Sequence, residues 1–274
     1  MGKGQRQMER QYNNPGIREA VFECRFLAGS DWDQTIPGLL YGALKENYPK
    51  KETRVLQEMQ VTQVKDQFVQ NVNAKVLAVF KSEDGSKFIQ LGPNLLSVNV
   101  LSPYPTWNVF YPMITEVLES LSTIANLEQI ERAGLRYINQ FSFTTKEIEL
   151  DDYFEFTLKK SVELPPNFAE FIVGGLFVVP GDRDLCRIQL ASAKPEIPSG
   201  LSVDLDLDYF TNNNSLLPFA LLNEWVVNAH SNVIAFFENC IKDSIREMMG
   251  VQENGLYWSR YYLHKNEIRI YKAK

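Results

Sequence analysis

The sequence has little of what ordinarily announces chemistry. Two histidines and three cysteines are spread over 274 residues. There is no P-loop, no G-x-S-x-G and no H-E-x-x-H, so the common signatures of nucleotide, acyl-transfer and metalloprotease chemistry are missing. Cys24, Cys186 and Cys240 form no C-x-x-C and cannot all pair with one another. Reduced structural thiols in a cytoplasm are the expectation. His264 has no His or Cys at ligand spacing, which removes zinc, and no cofactor motif occurs. No run approaches the ~18 apolar residues of a membrane span. The opening MGKGQRQMERQYNN lacks the apolar stretch of a secretory leader. Arg6 stands where a myristoylation signal prefers a small hydroxyl residue. No membrane contact is expected. Positive charge is also short: the formal balance of −6 argues against a broad nucleic-acid footprint, which needs clustered Lys and Arg.

What is present is architecture. With 45% hydrophobic and 23% charged residues, the chain can bury a sizeable core. Residues 75–112 organise it. Three short β-type runs, 75–81, 88–91 and 95–101, are separated by Glu83-Asp84-Gly85-Ser86 and Gly92-Pro93-Asn94, which predicts an antiparallel meander. Before it come a loose polar start over 1–13, a strand over 17–27 and an amphipathic helix from Trp32 to about Tyr48. The glutamine-rich alternation over 52–73 reads as a strand plus loop. After the meander, Trp107, Phe110, Ile114, Val117, Leu118 and Leu121 mark a helix face.

A strand over 132–143 then opens what looks like the same plan again. A short helix is expected over 151–160, followed by β-type runs over 168–179, 185–193 and 201–209. One long helix then runs to about Met249, capped by Gly250. The expected fold is α+β, with antiparallel sheets flanked by helices. It has two similar β-α-β-β-β-α halves, 14–128 and 129–250, and an aromatic, basic tail over 251–274.

Residues 90–99 read QLGPNLLSVN and residues 103–107 read PYPTW. With Glu19-Ala20-Val21-Phe22-Glu23, Gly134-Leu135-Arg136-Tyr137-Ile138-Asn139 and Asp204-Leu205-Asp206, these runs resemble a sporadically distributed family of uncharacterised prokaryotic proteins. The likeness covers about 13–250. It departs at Pro15-Gly16-Ile17, where the family usually places an aliphatic residue directly after the proline, and the tail lies beyond it. The resemblance implies no reaction. Its patchy distribution implies mobile or defence-related loci.

Four groups of residues are candidates for function. Asp204, Asp206 and Asp208 alternate along a strand and so share one face, where three carboxylates can recruit Mg²⁺ or Ca²⁺. The bland alternative is a wet sheet face with arginines or lysines on the next strand. His230 lies on the last helix, either as a buried histidine bonded to a neighbour or as a general base. Tyr104 and Trp107 belong to an aromatic turn, exposed by its composition, that ends the sheet or contacts a partner. In the tail, Tyr257, Trp258, Tyr261 and Tyr262 are interleaved with cations. They suit a protein partner, fold-back as an edge strand, or base stacking.

The favoured function is a non-catalytic interaction module, an adaptor or regulator of another protein, in line with a bacterial antiviral defence system. The alternatives are a divalent-metal enzyme acting on a phosphate ester or nucleotide through the aspartate row, and a nucleic-acid-binding accessory. A homo-oligomer is compatible with all three.

Overall fold

A computed structural model describes residues 6–27, 32–64, 67–157, 161, 163–164, 169–212, 216–251 and 257–260. Twelve strands and four α-helices occur among them. In chain order these are β1 (Arg6–Glu9), β2 (Ile17–Phe26), α1 (Ile36–Leu44), β3 (Lys50–Val64), β4 (Gln67–Lys81), β5 (Lys87–Gly92), β6 (Leu95–Leu101), α2 (Trp107–Ser122) and β7 (Gln129–Phe143). Then come β8 (Ile172–Val178), β9 (Asp184–Ala193), β10 (Leu201–Thr211), β11 (Leu217–Pro218), α3 (Leu222–Cys240), α4 (Asp243–Met249) and β12 (Tyr257–Arg260). Among the described residues no helix is long and apolar enough to cross a membrane.

Ten of the strands form one antiparallel sheet in the order β3-β4-β5-β6-β2-β7-β10-β9-β8, with β11 on the end of β7. The fold is α+β. Each half places its first strand at the centre, β2 against β7, and runs outward from there in reverse chain order. The two halves therefore share a single sheet. Period-two alternation sorts the side chains by face. Ala20, Phe22, Cys24 and Phe26 of β2, Leu135 and Tyr137 of β7, and Leu205, Leu207 and Tyr209 of β10 join one core with the buried stripes of α1, α2 and α3.

Four elements differ from the expectation. The glutamine-rich segment is a second long hairpin, with β3 and β4 paired from Lys50↔Lys81 to Val64↔Gln67. The first half thus carries one strand more than the expected plan. In the described part, 151–157, of the helix expected over 151–160 there is a single 3₁₀ turn, Leu150–Asp152. Beyond it, the backbone of Phe154 bridges Ile241 and the Glu155 amide donates to the Cys240 carbonyl. That same bridge breaks the predicted last helix into α3 and α4, because residue 241 turns extended to make it. Finally, the start is not loose where it is described: β1 pairs with β12, and Asn13 and Asn14 donate to the carbonyls of Gly250 and Met249.

Candidate functional site

The strip 10–17 crosses the helix side of the sheet, from the β1–β12 ribbon to the start of β2. Gly16 lets it lie close: a Cβ there would come within 2.8 Å of the Phe141 ring. The Gln140 amide donates to the Gly16 carbonyl at 2.8 Å. Farther out, the Tyr12 hydroxyl donates to Glu238 Oε1 at 2.5 Å. The other oxygen, Glu238 Oε2, accepts from Arg246 Nε at 3.0 Å and from Arg10 Nη1 at 3.4 Å. Both oxygens of this carboxylate are therefore engaged, which suits a latch better than a general base. Burial, and then the adjoining carboxylate, push the Tyr12 phenol well above its ordinary value, so it stays a donor.

Beneath the strip lies a cavity of ≈ 150 Å³ at the seam of the two halves. Tyr137, Asn139 and Leu207 line it from the sheet. Helix α3 supplies one wall through His230, Val233, Ile234, Phe237 and Glu238, a single stripe at helical spacing. Tyr104, Thr106 and Trp107 line it from the turn before α2 and that helix's first residue, and Ile17 from the strip's own side.

Aromatic geometry ties these walls together. The Trp107 and His230 rings stack with centroids 3.8 Å apart and planes 5° from parallel. Tyr137 shares a 3.1 Å hydrogen bond with His230 Nδ1, and Tyr104 meets Tyr137 edge-on at 6.0 Å. Trp107 and Tyr104 are thus half-buried and turned inward. The expected exposed aromatic turn is a cavity wall, because α2 starts at Trp107 and its first turn packs toward α3. Thr106, before that helix, takes φ 115°, a conformation that L side chains rarely adopt.

The aspartate row lies on the opposite face of the sheet, aligned as alternation predicts. Its surroundings are those of the bland alternative, with guanidinium groups reaching across from the next strand. Asp204 accepts from Gln140 Nε2 at 2.8 Å. Asp206 takes a two-point contact from Arg136, Nε at 2.8 Å and Nη2 at 2.5 Å. Asp208 accepts from Arg132 Nη2 at 3.1 Å, and Arg132 Nη1 reaches on to Glu23 at 3.1 Å. Burial holds the Asp208 carboxyl above the usual carboxylate range, against the pull of Arg132 and Arg136. A divalent ion on this row would have to displace guanidinium groups. Among the described residues, no group of three or more His, Cys, Asp or Glu side chains is placed to hold a metal ion.

The polar lattice continues into the first half. Asn99 donates to Glu19 Oε1 at 2.8 Å, Ser97 to Asn99 at 2.8 Å, and Arg54 to Gln90 at 2.9 Å. Guanidinium groups also cover aromatic rings here: Arg132 and Arg187 lie over Phe210, and Arg54 over Phe88. At the far edge the same face turns apolar. Ile172 and Leu176 of β8 are 65% and 54% exposed, and Val178 beside them is also exposed.

Of the tail candidates, Tyr257 and Trp258 lie in β12, opposite Glu9 and Met8. Tyr261 and Tyr262 fall outside the described residues. Arg10, Tyr12 and Phe237 carried no sequence signal, since nothing local links residue 12 to residue 238. No family model, curated protein or solved structure matches the chain.

Proposed function

We propose that the chain is a non-catalytic interaction module, an adaptor or regulator that receives another protein on the helix-free face of its sheet. The observation that carries this is the lattice on that face. Carboxylates and guanidinium groups alternate there and hold one another in place from Glu23 through Arg132 to Asp208, and from Arg136 to Asp206. Side chains ordered in advance lose less freedom on docking, and mixed charge selects a partner and its orientation. The apolar edge at Ile172, Leu176 and Val178 supplies an anchor beside the charged field. We place this work in a cytoplasm. Cys24, Cys186 and Cys240 are free and buried, and burial pushes the Cys240 thiol up to about 12, as in inert core thiols.

The test is affinity capture from the native cell with the wild type, Arg136→Glu and Leu176→Glu. A protein retained by the wild type and lost in both variants is expected. Recovery of the chain alone, or capture indifferent to both substitutions, removes the reading. Calorimetric titration with Mg²⁺ or Ca²⁺ is the second arm. Heat seen with the wild type and absent in Asp206→Asn would put the metal-dependent enzyme in its place.

A further inference from the structure

We propose that the seam cavity is a binding site for a small neutral aromatic molecule, a single ring carrying a hydrogen-bonding group. The site lies on the helix side of the sheet and does not depend on the docking face.

Size is the first argument. At ≈ 150 Å³ the cavity matches the roughly 150 Å³ of an engineered apolar cavity that admits benzene. A single ring fits a volume of that size.

The lining is the second. Trp107, His230, Tyr137 and Tyr104 line it; Trp107 and His230 stack on each other, so they leave their edges and outer faces to an occupant, and Leu207 and Val233 complete an apolar chamber. Flat aromatic walls favour a flat occupant through offset-stacked and edge-to-face contacts. A few polar groups set among apolar walls are the ordinary composition of a small-molecule site. Here they are Asn139, 2% exposed, and His230, 6% exposed, with the Tyr137 hydroxyl bonded to the latter. Asn139 Nδ2 donates to the Leu205 carbonyl and His230 Nδ1 is bonded to Tyr137, so the ring's substituent would share these groups with their protein partners.

Charge is the third, and it chooses between ligand classes. The carboxylate at the cavity, Glu238, is already matched by Arg10, Arg246 and the Tyr12 hydroxyl. An ammonium or carboxylate on the ligand would enter a half-buried space with its counter-charge already taken, which costs more than it returns. A neutral ligand keeps the latch intact. Because the strip, the turn before α2 and helix α3 all line the cavity, the same occupant touches both halves and the N-terminal strip at once.

The test uses the full chain and four probes: phenol and benzamide, which are neutral, and benzoate and benzylamine, which are charged at pH 7. Phenol and benzamide are expected to bind below about 10 mM, within reach of the contact energy of so few atoms. Benzoate and benzylamine are expected to bind at least tenfold more weakly. Methyl NMR of the wild type should place the shifts at Ile17, Leu207, Val233 and Met249. Ile234→Trp, which fills the chamber, should lower phenol affinity at least tenfold while the far-UV spectrum is kept. If that variant does not fold, the wild-type methyl map alone decides. Silence of those methyls at 10 mM phenol or benzamide, charged probes binding as well as neutral ones, or unchanged binding by folded Ile234→Trp would each overturn the proposal.

Discussion

Arg132 shows how one side chain organises the open face. One nitrogen reaches Glu23 and another reaches Asp208, while the guanidinium plane covers Phe210 with its centre 4.5 Å from the ring. Its side chain is 18% exposed and that of Asp208 16%, so solvent does little to screen the pair. Removing one partner of such a pair leaves the other charge partly buried and unmatched, at a cost of about 2–3 kcal/mol after allowing for the remaining exposure. Arg132→Met, which keeps an apolar stem over Phe210, is expected to lose that much at pH 7. The pH dependence follows from Asp208. Its folded value is already raised by burial, so its contribution favours the folded state below the unfolded carboxylate value and is lost as pH rises through the folded one. Without Arg132 the folded value climbs further. The deficit of the variant should therefore be largest at neutral pH and shrink at acid pH, where the Asp208 carboxyl is protonated in variant and wild type alike. Urea unfolding at neutral and at acid pH measures this, and a deficit independent of pH would remove Asp208 as its source. The alignment of Asp204, Asp206 and Asp208 was legible because alternation is a local rule. Arginines on the next strand were the alternative reading and are there; which arginine meets which aspartate was not legible, because Arg132 and Asp208 are separated by 76 residues and only the β7–β10 register brings them together.

Local pattern was a sound guide to elements wherever long-range pairing agrees with local propensity, as in β7 between β2 and β10. The meander, α2 and β7 lie where periodicity puts them. It misled where a distant strand claims the backbone. The Phe154–Ile241 bridge ended one expected helix after a 3₁₀ turn and split another, although both segments have helical spacing. The N-terminal strip belongs to the same class. Its polar composition says loop, yet two backbone bonds to the end of α4 and the Tyr12–Glu238 contact hold it. Here too the arrangement is testable. Glu238→Gln keeps the shape and an acceptor for Tyr12 but removes the charge that Arg10 and Arg246 share. Hydrogen bonds to charged groups contribute about 1.5–3 kcal/mol, so local opening of the strip should become about tenfold more frequent. Hydrogen exchange at the Asn13 and Asn14 amides should speed by that factor while β7 amides keep their protection. Equal acceleration in β7 would mean that Glu238 supports the whole fold rather than the strip.

Across the whole molecule, the sequence pattern suggested two similar β-α-β-β-β-α halves; neither segment keeps that element order, but 14–128 and 129–250 both contribute to one sheet. Each keeps its own helix: α2 packs on β6, and α3 on β10 and β7. What joins them is the β2–β7 pair, whose register runs from Ile17↔Asn139 to Phe26↔Ile130, together with the Trp107–His230 and Tyr104–Tyr137 ring contacts above it. No hairpin or short connection announces that pairing, so nothing local in the sequence could reveal it. Its energetic consequence is strong. Ala20, Phe22, Cys24 and Phe26 are 0–1% exposed in a core that continues into β7 and β10, and separation would turn β2 and β7 into long unpaired edges with apolar flanks. Two interlocked halves should then melt as one unit. Denaturation followed by tryptophan fluorescence and by far-UV dichroism is expected to give coincident single transitions. Fragments 14–128 and 129–250 made separately are expected to lack cooperative unfolding and to regain it when refolded together. A sharp transition in either fragment alone would mean that the central strand pair only joins two independently stable domains. The seam cavity would then lie at an interface free to open, and its ligand would act by holding the halves together.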